Sequence, residues 1–282
     1  MSGTRSSIPS SLLPDRIRQA LHTGGQLWYP GLAASLIEAF EDGQRAEGWS
    51  RDRYGTWRWM VGDAEAARLK LGIVSAGSHE WIVEALPSGA GRDLPPLSES
   101  PAPDIAARIE GAVERVSIEG LAESLGWIAR SCHVLAAKPG YDVSHSTPDL
   151  PLSIFFSMPA TEERRAEFRL AESIIHEAMH LQLTFIESHI QLVKSTGATA
   201  YSPWKQGARP AGGLLHGLYV FAVIHEALLA LAVKDAEARE YAEARCPEIA
   251  GEIAAIGDAR DALTSDGIML WQELIARVRA SG

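Results

Sequence analysis

The segment that most constrains this chain is Ile174-Ile175-His176-Glu177-Ala178-Met179-His180-Leu181, an H-E-x-x-H pattern inside an apolar run. Apolar residues recur at Phe168, Ile174, Ile175, Leu181, Phe185, Ile186 and Ile190, which is helical spacing. The pattern predicts one helix from an N-cap at Thr161 to about Lys194, with Gly197 as its terminator. Glu162 and Glu163 suit the positive end of its dipole, and Pro159 lies just upstream. Residues four apart on a helix lie about 40° apart around the axis and one turn along it. His176 and His180 can therefore reach one metal ion from one face, with Glu177 beside them to act on a metal-bound water or to orient a ligand.

Two histidines do not complete a metal site, so a third ligand must come from elsewhere. The options are His216, His225, Glu226, His189 and Glu187, with Glu177 itself a further alternative. Glu187 and His189 share the motif helix but stand two to three turns beyond His180, too far along the axis for one ion. His216 opens a second apolar helix next to Gly217, where backbones can approach closely, whereas His225 points to the opposite side of that helix. This geometry favours His216, with Glu226 as the downstream carboxylate that a zinc peptidase would want. The metzincin extension is absent, since Leu183 and Ile186 occupy its Gly and His positions.

Bulk properties narrow the partners. The 282 residues are 46% hydrophobic and 22% charged, enough for a sizeable core without disulfides. A net charge of −10 argues against nucleic acid and anionic membranes. Cys132 and Cys246 are far apart and form no C-x-x-C pair, which fits a reducing, cytoplasmic setting. Met1 to Leu13 lacks a long apolar stretch, so no signal peptide is expected, and no run of about 18 apolar residues suggests a membrane span.

The expected class is mainly α (α+β): a helical domain with a small β element beside the metal-binding helix. Residues 87–103 hold Pro87, Pro95, Pro96, Pro101 and Pro103, the best boundary between an N-terminal mixed region, 1–103, and a helical catalytic domain, 104–282. A role in binding a substrate peptide is the expectation for the first region. Helices are expected over Leu12–His22, Gly31–Glu41, Asp104–Arg115, Ile118–Ala137 and Leu214–Arg245, the last broken by Pro247, and over about 248–262 and 266–280. Strands are expected over Trp81–Leu86 and Leu150–Pro159. The aromatic run Trp49, Tyr54, Trp57 and Trp59 reads as packing.

Several pieces in this order resemble the HExxH-motif peptide-modification family, the 2-oxoglutarate-dependent HExxH-type peptide β-hydroxylases. They are Ser153-Ile154-Phe155-Phe156-Ser157, His176 to His180, Tyr201-Ser202-Pro203-Trp204, Arg209-Pro210, and Gly213 to Phe221 with its Leu215-His216-Gly217 core. The resemblance covers roughly residues 143–230. It implies an Fe(II) enzyme that uses O2 and 2-oxoglutarate to hydroxylate a β-carbon, by analogy that of Asp, in a ribosomally made precursor peptide. It implies iron on His176, His180 and His216, with Arg209 on the distal carboxylate of 2-oxoglutarate and Tyr201, Ser202 and Trp204 around the pocket. Three protein ligands leave open positions on an octahedral ion, as an iron oxygenase needs. The usual oxygenase set is two His and a carboxylate, so three His with Glu177 outside the ligand set is a departure. The competing expectation is a cytoplasmic zinc metallopeptidase with Glu177 as general base.

Overall fold

The structure is a computed structural model that describes residues 12–46, 50–51, 57–58, 69–85, 104–135, 143–146, 151–159, 165–194 and 197–281. Its helices are α1 (Leu13–His22), α2 (Pro30–Ala46), α3 (Ile105–Arg115), α4 (Leu121–Ile128), α5 (Ala166–Glu187), α6 (Ala211–Ala232), α7 (Ala236–Ala254) and α8 (Ser265–Ala280). Its strands are β1 (Ser50–Arg51), β2 (Trp57–Arg58), β3 (Leu69–Ala76), β4 (His79–Ala85), β5 (Ser131–Leu135), β6 (Ser144–Ser146), β7 (Ser153–Ser157), β8 (Thr199–Ser202) and β9 (Gly207–Pro210). The class is mainly α with a small sheet, as the sequence pattern predicts.

The main sheet runs β3-β4-β5-β7-β6. Its inner pairs, β4/β5 and β5/β7, are parallel, and its outer pairs are antiparallel. Cys132, Val134, Ile154 and Phe156 alternate onto the face that joins the hydrophobic core with α5. The same core takes in α1, α2 and α3 along with α6, α7 and α8. A division at residue 103 therefore does not divide the core: β4 pairs in register with β5 across it, Val83 opposite Cys132.

Helix α5 covers the motif as expected, but it starts at Ala166 and ends at Glu187 rather than Lys194. Ser188 closes its last turn by donating from its hydroxyl to the carbonyl of Phe185 at 2.7 Å. Thr161, Glu162 and Glu163 lie outside the described residues, as do the 87–103 stretch and the aromatic residues Trp49, Tyr54 and Trp59.

Three expectations are corrected. The single helix over Ile118–Ala137 is instead α4 followed by β5. Every residue of β5 is buried, because it lies mid-sheet between β4 and β7; it therefore lacks the alternation that marks a half-exposed strand. The long helix after Leu214 is α6 and α7, parted at Asp235, whose carboxylate accepts from the backbone N–H of Glu237 (2.7 Å) and Ala238 (3.2 Å). Pro247 lies inside α7 at an exposed position. Strand β3 has no counterpart in the sequence expectations. Helix α6 is long and apolar enough to cross a membrane by composition, with mean hydropathy 1.8, but 72% of that stretch is buried in this core.

Candidate metal centre

Helices α5 and α6 pack against each other and bring the three favoured histidines together. His180 Nε2 lies 3.1 Å from His176 Nε2, and His180 Nδ1 lies 3.2 Å from His216 Nδ1. The rings of His180 and His216 stack with centroids 5.4 Å apart, while His176 meets His180 edge-on at 4.7 Å. All three line one cavity of about 690 Å³ with Glu177, Glu187, Lys205 and Arg209.

Burial holds the His176 imidazole down to about pH 4, helped by the positive charges of Lys205, Arg209 and Arg245. His180 is pushed well below its usual range, first by burial and then by His176, His216 and Arg209. Both rings are therefore neutral at pH 7, the form that carries a lone pair for a metal. Glu177 behaves oppositely. Burial raises its carboxyl group to about 7, against hydrogen bonds from Ser144 and Ser146 on β6. Its Oε1 stands 3.9 Å from His176 Nε2, beside the histidine cluster.

These residues fit a divalent ion by donor type, and His176 and His180 also by spacing. Two ligand atoms at about 2.1 Å from an ion and at right angles lie about 3 Å apart, close to the spacing between His176 and His180. The three rings form a chain with His180 in the middle, facing one neighbour with each nitrogen. Among the described residues no three donors close on one point as the rings stand. Rotation of an imidazole about its Cβ–Cγ bond, a soft torsion, is what closure requires.

The other third-ligand options are elsewhere. Glu226 Oε1 accepts from the backbone N–H of Leu27 at 3.2 Å, and its Oε2 accepts from Arg277 Nη1 at 3.0 Å. It ties α6 to the N-terminal segment and α8, and it lies outside the cavity lining. His225 is buried and His189 lies beyond the end of α5; neither lines the cavity. Glu187 is too far along α5 to share an ion with His176, but its Oε2 lies 2.9 Å from His216 Nε2.

Of the residues that the resemblance places around a cosubstrate, Trp204 and Arg209 line the cavity and Tyr201 and Ser202 do not. The β8–β9 hairpin accounts for Tyr201. Ala200 pairs with Arg209 and Tyr201 with Ala208, so Tyr201 projects from the other face and is 48% exposed. Ser202 is fully buried and its hydroxyl has no hydrogen-bond partner among the described residues. The hairpin rests on two glycines one turn apart on α6. A Cβ on Gly213 would lie 2.5 Å from Arg209 Nε, and one on Gly217 would lie 2.6 Å from the Trp204 ring. Trp204 also donates from its indole N–H to Glu252 at 3.2 Å.

Sequence reasoning missed Ser144, Ser146 and Lys205. The two serines are two apart on a strand, so they share a face; that spacing was a usable signal once β6 was known to be a strand. Nothing local marks Lys205. Compared with known proteins, the chain matches no family model and no curated sequence.

Proposed function

We propose that this chain is an Fe(II)- and 2-oxoglutarate-dependent dioxygenase that hydroxylates a β-carbon, by analogy that of Asp, in a ribosomally synthesised precursor peptide in the cytoplasm. The motifs that resemble the HExxH peptide β-hydroxylases support it, and one observation carries it. Lys205 and Arg209 line the histidine cavity, and neither has an ion-pair partner among the described residues. A divalent ion with these two cations carries +4, and Glu187 together with Glu177, whose carboxyl burial raises to about 7, offsets only part of it. A dicarboxylate supplies the missing negative charge.

When bound, iron supplies O2 activation coupled to the oxidative decarboxylation of 2-oxoglutarate to succinate. The protein's part is to hold and to exclude. Arg209, braced against Gly213, pairs with the distal carboxylate, because a guanidinium presents two parallel donors. Lys205 adds a second positive charge at the same cavity. Trp204 and Phe221 stack at 4.8 Å into an apolar wall that keeps water from that side, and Phe221 meets His176 edge-on at 5.4 Å. Glu177, oriented by Ser144 and Ser146, takes or returns a proton at a bound water. A second cavity of about 440 Å³, between α5, α6 and α7, meets the first at Ser144, His176 and Phe221 and gives a peptide a path to the same centre.

The test is an anaerobic absorbance titration of Fe(II)-loaded protein with 2-oxoglutarate. A visible charge-transfer band, abolished by His216→Ala and weakened by Arg209→Ala, is expected. A zinc peptidase is the second reading, favoured by the position of Glu177 and its proton affinity near neutrality. Its mark is the absence of that band together with zinc-supported cleavage of peptides that Glu177→Gln abolishes.

A further inference from the structure

We infer that Glu187 is a positioning residue that fixes the tautomer of His216 and presents Nδ1 of that ring to the metal. The inference rests on the metal reading above. A carboxylate can only accept, so the 2.9 Å contact between Glu187 Oε2 and His216 Nε2 requires the proton on Nε2. In the neutral ring His216 Nδ1 then carries the lone pair, and it is the nitrogen that faces His180.

The consequence runs along the whole cluster. Because His216 Nδ1 accepts, His180 Nδ1 must donate to it across 3.2 Å. His180 Nε2 is left as an acceptor and takes the proton of His176 Nε2 across 3.1 Å. One carboxylate at the end of α5 thus orders the protons along the cluster and leaves His180 Nε2 and His216 Nδ1 bare, while His176 must move its proton from Nε2 to Nδ1 before Nε2 can bind a metal. Glu187 is seven residues beyond His180, about 10 Å along the axis, so it cannot share the ion with the motif pair. His216, arriving from α6, spans that gap. A carboxylate behind a ligand histidine holds the ring orientation and raises its basicity, and losing one commonly costs 10–100-fold in metal affinity.

The experiment combines ring-nitrogen NMR of ¹⁵N-histidine-labelled, metal-free protein with Zn(II) affinity measured by chelator competition. His216 signals are assigned by their loss in His216→Ala. The expected result is an Nε2–H tautomer for His216 in the wild type and an Nδ1 shift on Zn(II) addition. Glu187→Ala should lower Zn(II) affinity about 10–100-fold and abolish the tautomer preference. Glu187→Gln should fall between them, since an amide can still accept but carries no charge. It also keeps the shape of the side chain should the alanine variant fold poorly. An Nδ1–H tautomer in the wild type, or unchanged Zn(II) affinity in Glu187→Ala, overturns the inference. So does retention of metal by His216→Ala when Glu187→Ala loses it, which would make Glu187 the ligand. A wild-type protein that binds no metal overturns the metal reading itself, and the ring-nitrogen spectra then decide alone whether Glu187 holds the Nε2 proton.

Discussion

The indole of Trp204 stacks on Phe221 with centroids 4.8 Å apart and planes 11° apart, and it can do so only because the residue beneath it on α6 is Gly217. The pair links the β8–β9 hairpin to the helix that carries His216, and through Phe221 it touches His176. The wall of the cavity and the ligands of the candidate centre are therefore one packed unit.

Gly217→Ala follows from this contact. The added methyl would lie 2.6 and 2.8 Å from two carbons of the indole, so the ring must move. Overpacking of this kind costs about 1–3 kcal/mol, offset by up to about 1 kcal/mol of helix propensity. Urea unfolding should show a net loss, and the fluorescence of Trp204 should change in the folded state.

Arg209→Ala and Lys205→Ala should each weaken 2-oxoglutarate binding about tenfold or more, since a charge-assisted hydrogen bond contributes about 1.5–3 kcal/mol. Neither should change Zn(II) affinity more than severalfold. Calorimetry with and without 2-oxoglutarate separates the two effects, and equal binding by the double variant would remove the charge argument.

Glu177→Gln should stabilise the metal-free protein, and the gain should depend on pH. Burial raises the Glu177 carboxyl from 4.5 to about 7, so between those values the folded state holds a proton that the unfolded state has released. Stability from this group is thus full below about 4.5 and is lost as pH rises to about 7. The advantage of the glutamine variant should be near zero below that window and reach on the order of 3 kcal/mol above it. Thermal unfolding of both proteins across the range tests the sign.

Glu226→Ala separates the two readings of the third ligand. It removes the acceptor for the Leu27 N–H and the partner of Arg277, so stability should fall by about 1–3 kcal/mol. Metal affinity should be unchanged. A variant that folds normally but binds no Zn(II) would restore Glu226 as a ligand.

The motif helix was legible because its evidence is local. Periodicity marks the buried face of α5, and a four-residue spacing puts His176 and His180 together in any helix. The apolar run before it reads as β7 for a similar reason, bounded as it is by prolines. Strand β5 was not legible, because a mid-sheet strand buried on both faces carries no alternation and its composition suits a helix as well. The break between α6 and α7 was misplaced because Pro247 is a louder local signal than Asp235, although the Asp235 cap is what starts the second helix.

By itself the sequence determined the mainly helical class, the paired histidines with Glu177 between them, and His216 as the favoured partner. Only the tertiary structure decided the rest. The packing of α6 on α5 placed His216 against His180 and took Glu226 away to Leu27 and Arg277. The pairing of β6 beside β7 brought Ser144 and Ser146 onto Glu177, and the hairpin turned Arg209 inward and Tyr201 outward. The reason is one of range. Helical spacing fixes neighbours a turn apart from covalent geometry alone, whereas contacts between elements depend on how whole faces pack. Glu187 shows both limits at once: its distance along α5 keeps it from any ion shared by His176 and His180, and a ring from another helix brings it to the same cavity.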